Sequence, residues 1–245
     1  MSKRKQQSGQ NDGEDSDMDI DQVDFDFFDP DPEVDYLAIK TFSTQLWQGD
    51  AAQLDIPDMA ELILAQPEVG TTVKSDGKES DPLSILTVIN LHAHQSRPFV
   101  KTLVEYALKG SRGNDKAHAA FQELLGPAGL QSQKHVGFVF SERFVNMPVQ
   151  TVPPMYRMLE EELSWAIESN KPFKFSHLLF LSRTYRVSTE EAAELEERAN
   201  KRQKATPSLK ENDLIPIHPE DEQIAQASER LAQAVHAIDE AYPAS

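Results

Sequence analysis

The centre of the fold is set by the stretch Leu83-Ser84-Ile85-Leu86-Thr87-Val88-Ile89-Asn90-Leu91. Apolar residues run through it almost without interruption, whereas a strand with one face in water alternates apolar and polar residues. Such a run is typical of an interior strand whose two faces are both covered. We therefore predict a sheet with other layers packed on both sides of this segment.

The segments on either side of this strand alternate between strand and helix patterns. Before it, we predict a strand at 25–28, helices at 36–47 and 57–65, and a strand at 69–74. After it, we predict helices at 99–109 and 116–125, a strand at 136–140, a helix from 153 onward and a strand at 173–185. Because adjacent strand pairs also occur, the class is α/β with a mixed, mainly antiparallel sheet flanked by helices.

The helix that begins at Pro153-Pro154 has an amphipathic pattern. Apolar residues recur at three-to-four spacing, which predicts a buried face made of Met155, Leu159, Leu163 and Ile167. Arg157 and the run of three glutamates at 160–162 are then expected to face water.

Composition narrows the classes of protein that this chain can represent. The 245 residues carry a net charge of −17 and no cysteine, which excludes disulfides, thiol nucleophiles and thiolate metal sites. The acidic balance disfavours nucleic acid as a partner, and no apolar run approaches the roughly 20 residues that span a bilayer. We predict an intracellular protein with a disordered acidic arm at 1–22, one domain at 23–245, and a flexible charged excursion at 188–212.

The acidic arm is the first candidate binding element. The stretch from 12 to 35 holds twelve acidic residues and no lysine or arginine. Those of the arm itself are Asp12, Glu14, Asp15, Asp17, Asp19 and Asp21. A segment so charged and so poor in apolar residues does not fold alone, and its field attracts basic partners. The alternative interpretation is a leader that only keeps the protein soluble.

Motifs for catalysis, cofactors and metals give little support to an enzyme. His92 and His94 would share one face of a strand end, but a zinc site needs at least three protein ligands and the sequence offers no third. The segment Gly110-Ser111-Arg112-Gly113 connects two predicted helices, whereas a phosphate-binding loop follows a strand and opens a helix. We predict no catalytic residues, no cofactor and no metal.

Two short basic clusters have the composition of nuclear import signals. One is Lys3-Arg4-Lys5, and the other comprises Lys201, Arg202 and Lys204 in the predicted excursion. Clusters of this length also occur as ordinary surface charge. We expect the second cluster to carry import, because an extended segment is accessible to a receptor. The spacing of apolar residues at 56–64 suits an export signal, but it equally suits an amphipathic core helix.

A block near the middle of the chain resembles the signature of the BCCIP family. Its matching residues are Glu142, Arg143, Phe144, Asn146, Pro148, Pro153 and Pro154. The acidic, aromatic segment 24–47, the segment 173–186 and the motif His218-Pro219-Glu220-Asp221-Glu222 are also similar. The chain is thus identified as a fungal member of that family, with the likeness running from 23 to about 222 and over the last fifteen residues.

The resemblance implies a fold similar to the GNAT acetyltransferases without catalysis. It implies a protein of the nucleus that shuttles to the cytoplasm and binds basic nuclear proteins. The implied roles are chaperone of a large-subunit ribosomal protein, support of ribosome assembly, and nuclear export of a lipid kinase together with transport receptors. The alternative is an acyltransferase that uses acetyl-CoA, which would need a Gly-rich turn where 91–99 has no glycine and has Pro98.

The resemblance also implies that a piece of the sheet is missing. In the family, the helix that starts at the His218 motif is followed by two strands before a closing helix. Here residues 222–228 run directly into 229–235 with no β-branched or aromatic strand between them. We therefore expect the C-terminal strands to be absent, one long helix over about 219–242, and an unpaired neighbouring strand.

Overall fold

The predicted interior strand lies at the centre of a five-stranded sheet. The computed structural model describes residues 24–190 and 212–227. Strand β3, Ser84–Asn90, is buried along its whole length, which confirms the prediction for this segment. The sheet has the order β1-β2-β3-β4-β5, with β1 at Asp26–Phe28, β2 at Gly70–Lys74, β4 at Val136–Arg143 and β5 at His177–Phe180.

Strand directions confirm a mixed, mainly antiparallel sheet. The pairs β1–β2, β2–β3 and β3–β4 are antiparallel, and β5 is parallel to β4. A separate antiparallel pair joins β6, Thr184–Arg186, to β7, Leu214–Pro216. The similarity to acetyltransferases stays a prediction.

The single strand predicted at 173–185 is wrong, because two strands share that segment. Between them, the Ser182 hydroxyl donates to the Asp221 carboxylate, and the Arg183 carbonyl accepts from the Ile217 amide. The Arg183 guanidinium reaches the Glu142 carboxylate at 3.2 Å. The chain therefore leaves the large sheet after β5 and turns toward residues that lie much later in the sequence.

Helices cover both faces of the large sheet, as the buried central strand requires. Their bounds are α1 Tyr36–Trp47, α2 Ile56–Leu64, α3 Pro98–Gly110, α4 Asp115–Leu125, α5 Val152–Glu168 and α6 Glu220–Ala227. On the first face, Trp47 of α1 packs against Phe99 of α3 and Phe138 of β4, with ring centroids 5.9 and 6.0 Å away. The Asp55 carboxylate caps α2 by accepting from the Asp58 amide.

Helix α5 covers the second face, and its buried side differs from the prediction. Met155 and Leu159 are buried as expected, but Ile167 is exposed and Glu162 is buried. The Glu162 carboxylate accepts hydrogen bonds from the Gly70 amide at 2.8 Å and from the Thr71 hydroxyl. These bonds offset the desolvation of the carboxylate, although burial still raises the pKa of Glu162.

A fully buried ion pair joins β2 to the start of α1. The Lys74 ammonium lies 2.7 Å from the Asp35 carboxylate, and both side chains are completely inaccessible to water. The same ammonium donates to the Lys78 carbonyl at 2.7 Å. The Asp35 carboxylate also accepts from the Asp31 amide, so it holds the turn that leads from β1 into the helix.

Several predictions fall on residues outside those described. These are the arm at 1–22, the cluster at Lys201, Arg202 and Lys204, nearly all of the excursion 188–212, and the fusion of two helical segments near 228. The single domain at 23–245 and the missing strands therefore stay predictions. Within 24–190 and 212–227, none of the helices combines the length and apolar character that a membrane crossing requires.

Replacing Lys74 with Met should lower the free energy of unfolding by about 3–5 kcal/mol, because it leaves the Asp35 charge buried without its partner. Urea denaturation at pH 7 measures this change. Lys78→Met is the matched control, since Lys78 forms an exposed ion pair with Asp31 and should change stability little. Equal losses in the two variants would contradict the role given to the buried pair.

Candidate functional site

The candidate signature residues Glu142 and Arg143 lie at the end of β4 and organise a buried ion network. Successive side chains of a strand point to opposite faces, so these two reach different partners. The Glu142 carboxylate accepts from the Gln45 amide of α1 at 2.7 Å and pairs with Arg183 at 3.2 Å. It is thereby bonded to the first helix and to the segment between β5 and β6.

Arg143 makes the strongest contact of the network. Its guanidinium donates two hydrogen bonds to the Glu220 carboxylate, at 2.8 and 3.0 Å, in the forked geometry that suits a carboxylate. It also donates to the carbonyls of Phe144 and Met147. Burial alone would raise the pKa of Glu220, but the Arg143 guanidinium, a backbone hydrogen bond and the nearby His218 together outweigh burial and hold the pKa below its usual value.

His218 and Asp221 complete the network. The buried His218 ring places Nε2 3.5 Å from the Glu142 carboxylate, while Nδ1 has no hydrogen-bond partner among the described residues. Asp221 accepts from the Ser182 hydroxyl, yet burial raises its pKa. The network therefore attaches residues 218–221 to the end of β4 and to the turn after β5.

The network fixes a loop that presents apolar side chains to water. Phe144 packs on Phe42 of α1 with ring centroids 5.2 Å apart, and Val145 is 71% exposed. The other candidate signature residues lie on this loop and the helix after it: Asn146, Pro148 and Pro153 are exposed, and Pro154 is half-buried in the first turn of α5. The signature thus contains two buried charges and a loop held by one of them.

His92, in the turn that follows β3, has a structural role. His92 Nδ1 accepts from the Val136 amide at 3.2 Å, and Nε2 donates to the Gly129 carbonyl at 3.1 Å. Both ring nitrogens are therefore engaged, and burial lowers the pKa of His92. The described residues contain no group of three or more His, Asp or Glu side chains arranged to hold a metal ion.

The turn between β3 and α3 is occupied by internal hydrogen bonds. The Asn90 side chain accepts from the amides of His92 and Ala93. At the start of α3, Pro98 has no amide hydrogen, and the Phe99 amide donates to the Asp58 carboxylate at 2.9 Å. A carboxylate of the protein therefore takes the place where a pyrophosphate would meet the helix N-terminus.

Fold and network together define an α/β protein in which buried charged side chains, among them Asp35, Lys74, Arg143 and Glu220, pair with one another and hold the helices to the sheet. Comparison with known proteins agrees on the family. The BCCIP family model matches residues 20–224. The chain is 41% identical to Protein bcp1 of Schizosaccharomyces pombe over 219 residues, which is 88% of this chain and 75% of that protein.

Further relatives give the same result. The chain is 42% identical to Protein bcp1 of Aspergillus fumigatus, over 87% of this chain and 71% of that protein. The crystal structure of BCP1 from Saccharomyces cerevisiae matches with a TM-score of 0.57 and 25% identity, over 90% of this chain and 81% of that one. The chain belongs to the BCCIP family. None of these names is that of an enzyme.

The sequence identifies most of these residues but does not predict which residues they contact. The block at 142–154 and the motif at 218–222 were both identified, yet nothing in either predicts that Arg143 bonds to Glu220 across 77 positions. Arg183 and Gln45 are not singled out by the sequence, because each lies among other polar residues and carries no distinctive signal.

Glu220→Gln should lower the free energy of unfolding at pH 7 by about 3 kcal/mol, because Arg143 loses its buried counter-charge. Since the folded pKa of Glu220 is depressed, its contribution is present above the usual carboxyl pKa and is lost as the pH falls through the folded value. The variant and the parent chain should therefore converge in stability in acid, measured by urea denaturation between pH 3 and 7.

The exposed Glu222 offers a control for this prediction, and Glu222→Gln should leave the pH profile unchanged. The Glu220 charge contributes to the raised pKa of Asp221, so the comparison is repeated in an Asp221→Asn background, which removes the titration of Asp221 from both proteins. A constant difference between parent and Glu220→Gln across the acid range would show that the stabilisation does not depend on the Glu220 charge.

Acetyl-CoA should not bind, because the amide that would meet its pyrophosphate already donates to Asp58. Isothermal calorimetry of the full chain should detect no heat of binding up to millimolar cofactor. Asp58→Asn serves as a second sample, since it removes the competing charge but leaves Pro98 in place. Micromolar binding to the unmodified chain would reverse the conclusion.

Proposed function

We propose that this chain is a non-catalytic, acidic binding protein that acts as a nuclear chaperone and export adaptor for basic client proteins. Membership of the BCCIP family supports a role in binding. The clients that we propose are a ribosomal protein of the large subunit and, for export, a lipid kinase with its transport receptors. In this role the protein supports ribosome assembly and protein transport, and it binds neither nucleic acid nor membrane.

The observation that carries the proposal is the excess of negative charge around β1. Asp24, Asp26, Asp29 and Glu33 are exposed there. Among the described residues, the close ion pair at this surface joins Asp31 to Lys78, and those four exposed acids form no ion pair within 4 Å. The acidic arm precedes this surface directly in the sequence. A field of this sign attracts basic proteins and repels phosphates.

The contacts of the ionisable groups support a role without catalysis. The buried groups with the strongest contacts are each held by a partner: Lys74 by Asp35, Arg143 by Glu220, and Glu162 by the amide of Gly70 and the hydroxyl of Thr71. A general base or nucleophile needs a side chain within reach of a substrate. These groups instead hold α1, α5 and α6 to the sheet.

Deleting residues 12–22 should slow association with a basic client and weaken its dependence on salt. Charges on a solvated arm act over about 8 Å at physiological ionic strength, so they mainly raise the association rate. Stopped-flow or surface-plasmon measurements between 50 and 500 mM salt, with a purified basic ribosomal protein as the probe, test this.

A variant with Asn and Gln in place of the arm's Asp and Glu is the matched control, because it keeps the length of the arm. It should behave like the deletion if charge is responsible. An on-rate and a salt dependence unaltered in both variants would reduce the arm to a solubilising leader.

Nuclear entry should depend on Lys201, Arg202 and Lys204 more than on Lys3-Arg4-Lys5. Replacing Lys201, Arg202 and Lys204 with Ala should shift a fluorescent fusion toward the cytoplasm. Replacing Lys3, Arg4 and Lys5 with Ala removes equal charge and should have the smaller effect. A nuclear fraction unchanged by the replacement at 201–204 removes this import assignment.

A further inference from the structure

The large sheet has two edges of different character. Strands β1 and β5 are its outermost strands, and each is hydrogen-bonded to one neighbour in the described part of the chain. The outer side of each strand therefore has backbone groups that the sheet itself does not pair. An edge of this kind can accept an extended segment of another chain as an additional strand.

The side chains of β1 and of the two residues before it, Asp24 and Phe25, alternate in a way that suits strand addition. Phe25 and Phe27 pack against the apolar cluster under α5 that includes Val73, Leu86 and Met155. Asp24 and Asp26 are exposed. Along this edge, the phenylalanine side chains face the protein interior and the aspartate side chains face water. Asp29 extends the negative charge past the end of the strand.

The edge strand is held in place before any partner arrives. Its three residues pair with Lys74, Val73 and Thr72 of β2. The Thr72 hydroxyl donates to the Phe28 carbonyl, and the buried Lys74 ammonium lies 6.0 Å from the centre of the Phe28 ring. A preorganised strand loses little conformational freedom on binding.

The opposite edge has a different chemistry. Leu178 and Phe180 of β5 are 49% and 37% exposed, and the exposed side chains of Lys174 and Arg186 lie close to this strand in sequence. A basic segment would meet apolar side chains there and no acidic residue, because β5 itself contains none. Charge therefore distinguishes the two edges, and only β1 is complementary to a basic partner.

We propose that β1 binds its client by strand addition, taking an extended basic segment along its free edge. This rests on the proposed function, since it specifies how a basic client is held. Acidic and basic side chains directly opposite one another in neighbouring strands attract, and like charges repel. The acids of β1 therefore favour a strand rich in lysine or arginine and disfavour a second copy of this chain.

Synthetic peptides with blocked ends, added to the full chain, test the proposal. The probe is a seven-residue peptide that alternates Lys and Val and begins with Lys, so its central residue is Val. One control replaces its central Val with Pro, which keeps the charge but cannot complete a strand, and the other alternates Val and Glu. We expect the Val–Lys peptide alone to bind, with amide chemical shifts and exchange protection centred on residues 24–28.

Charge reversal in the protein gives the second arm of the test. Asp24→Lys combined with Asp26→Lys should weaken binding of the Val–Lys peptide at least about tenfold, because two attractive cross-strand pairs become repulsive. Glu105→Lys combined with Glu168→Lys changes the net charge equally at exposed positions of α3 and α5 and should have little effect.

Three outcomes would overturn the proposal. The first is equal binding of the Pro peptide, which would mean attraction by charge alone. The second is a shift pattern on β5, on the arm or anywhere else away from β1. The third is sedimentation showing a dimer that Asp24→Lys/Asp26→Lys disrupts, which would assign this edge to a second copy. A basic ribosomal protein that still binds in the first two cases leaves the proposed function standing without strand addition.

Discussion

The structure depends on the requirement that a charge removed from water must have a partner. Asp35 and Lys74 meet it most completely, because neither side chain is accessible to solvent. Their contact fixes where α1 begins relative to β2. Helix α1 in turn places Phe42 and Trp47 in the same apolar core as Phe99. Breaking one buried charge from its partner is more damaging than losing an ordinary apolar contact. The position of α1 on the sheet therefore depends on the Asp35–Lys74 ion pair as well as on the apolar packing of the helix.

The same requirement recurs on the other side of the sheet and at its far end. Glu162 connects α5 to the amide of Gly70, and Arg143 connects β4 to α6 through Glu220. Each contact joins segments that are far apart in sequence. Apolar packing alone tolerates small sliding between layers, whereas a forked Arg–carboxylate contact has one geometry. The buried charges of this protein therefore fix the register of layers that the apolar core merely holds together.

Sequence alone predicted the elements better than their contacts. The apolar run at 83–91 identified β3, and the spacing of Ile39, Phe42 and Leu46 placed α1 within its observed bounds. Periodicity failed on α5, where Ile167 was expected inside and Glu162 outside. The failure has a physical cause: Glu162 is stabilised by donors on β2, 92 and 91 positions earlier in the chain, and hydrophobicity does not encode such donors. Likewise, the break between β5 and β6 follows from hydrogen bonds to residues that are distant in sequence. Ser182 bonds to Asp221, and Arg183 bonds to Glu142 and to the amide of Ile217.

The separation of 77 positions between Arg143 and Glu220 also orders events during synthesis. Strands β1 to β4 are neighbours in the sheet and precede α5 in the chain, so they can assemble before α6 becomes available. At elongation rates of about 5–20 residues per second, Glu220 is made roughly 4–15 s after Arg143. During that interval the Arg143 guanidinium lacks the carboxylate of Glu220. Burying the end of β4 would then cost free energy, because a charge would leave water without its partner. The end of the last antiparallel strand therefore stays open to water until residue 220 has been made.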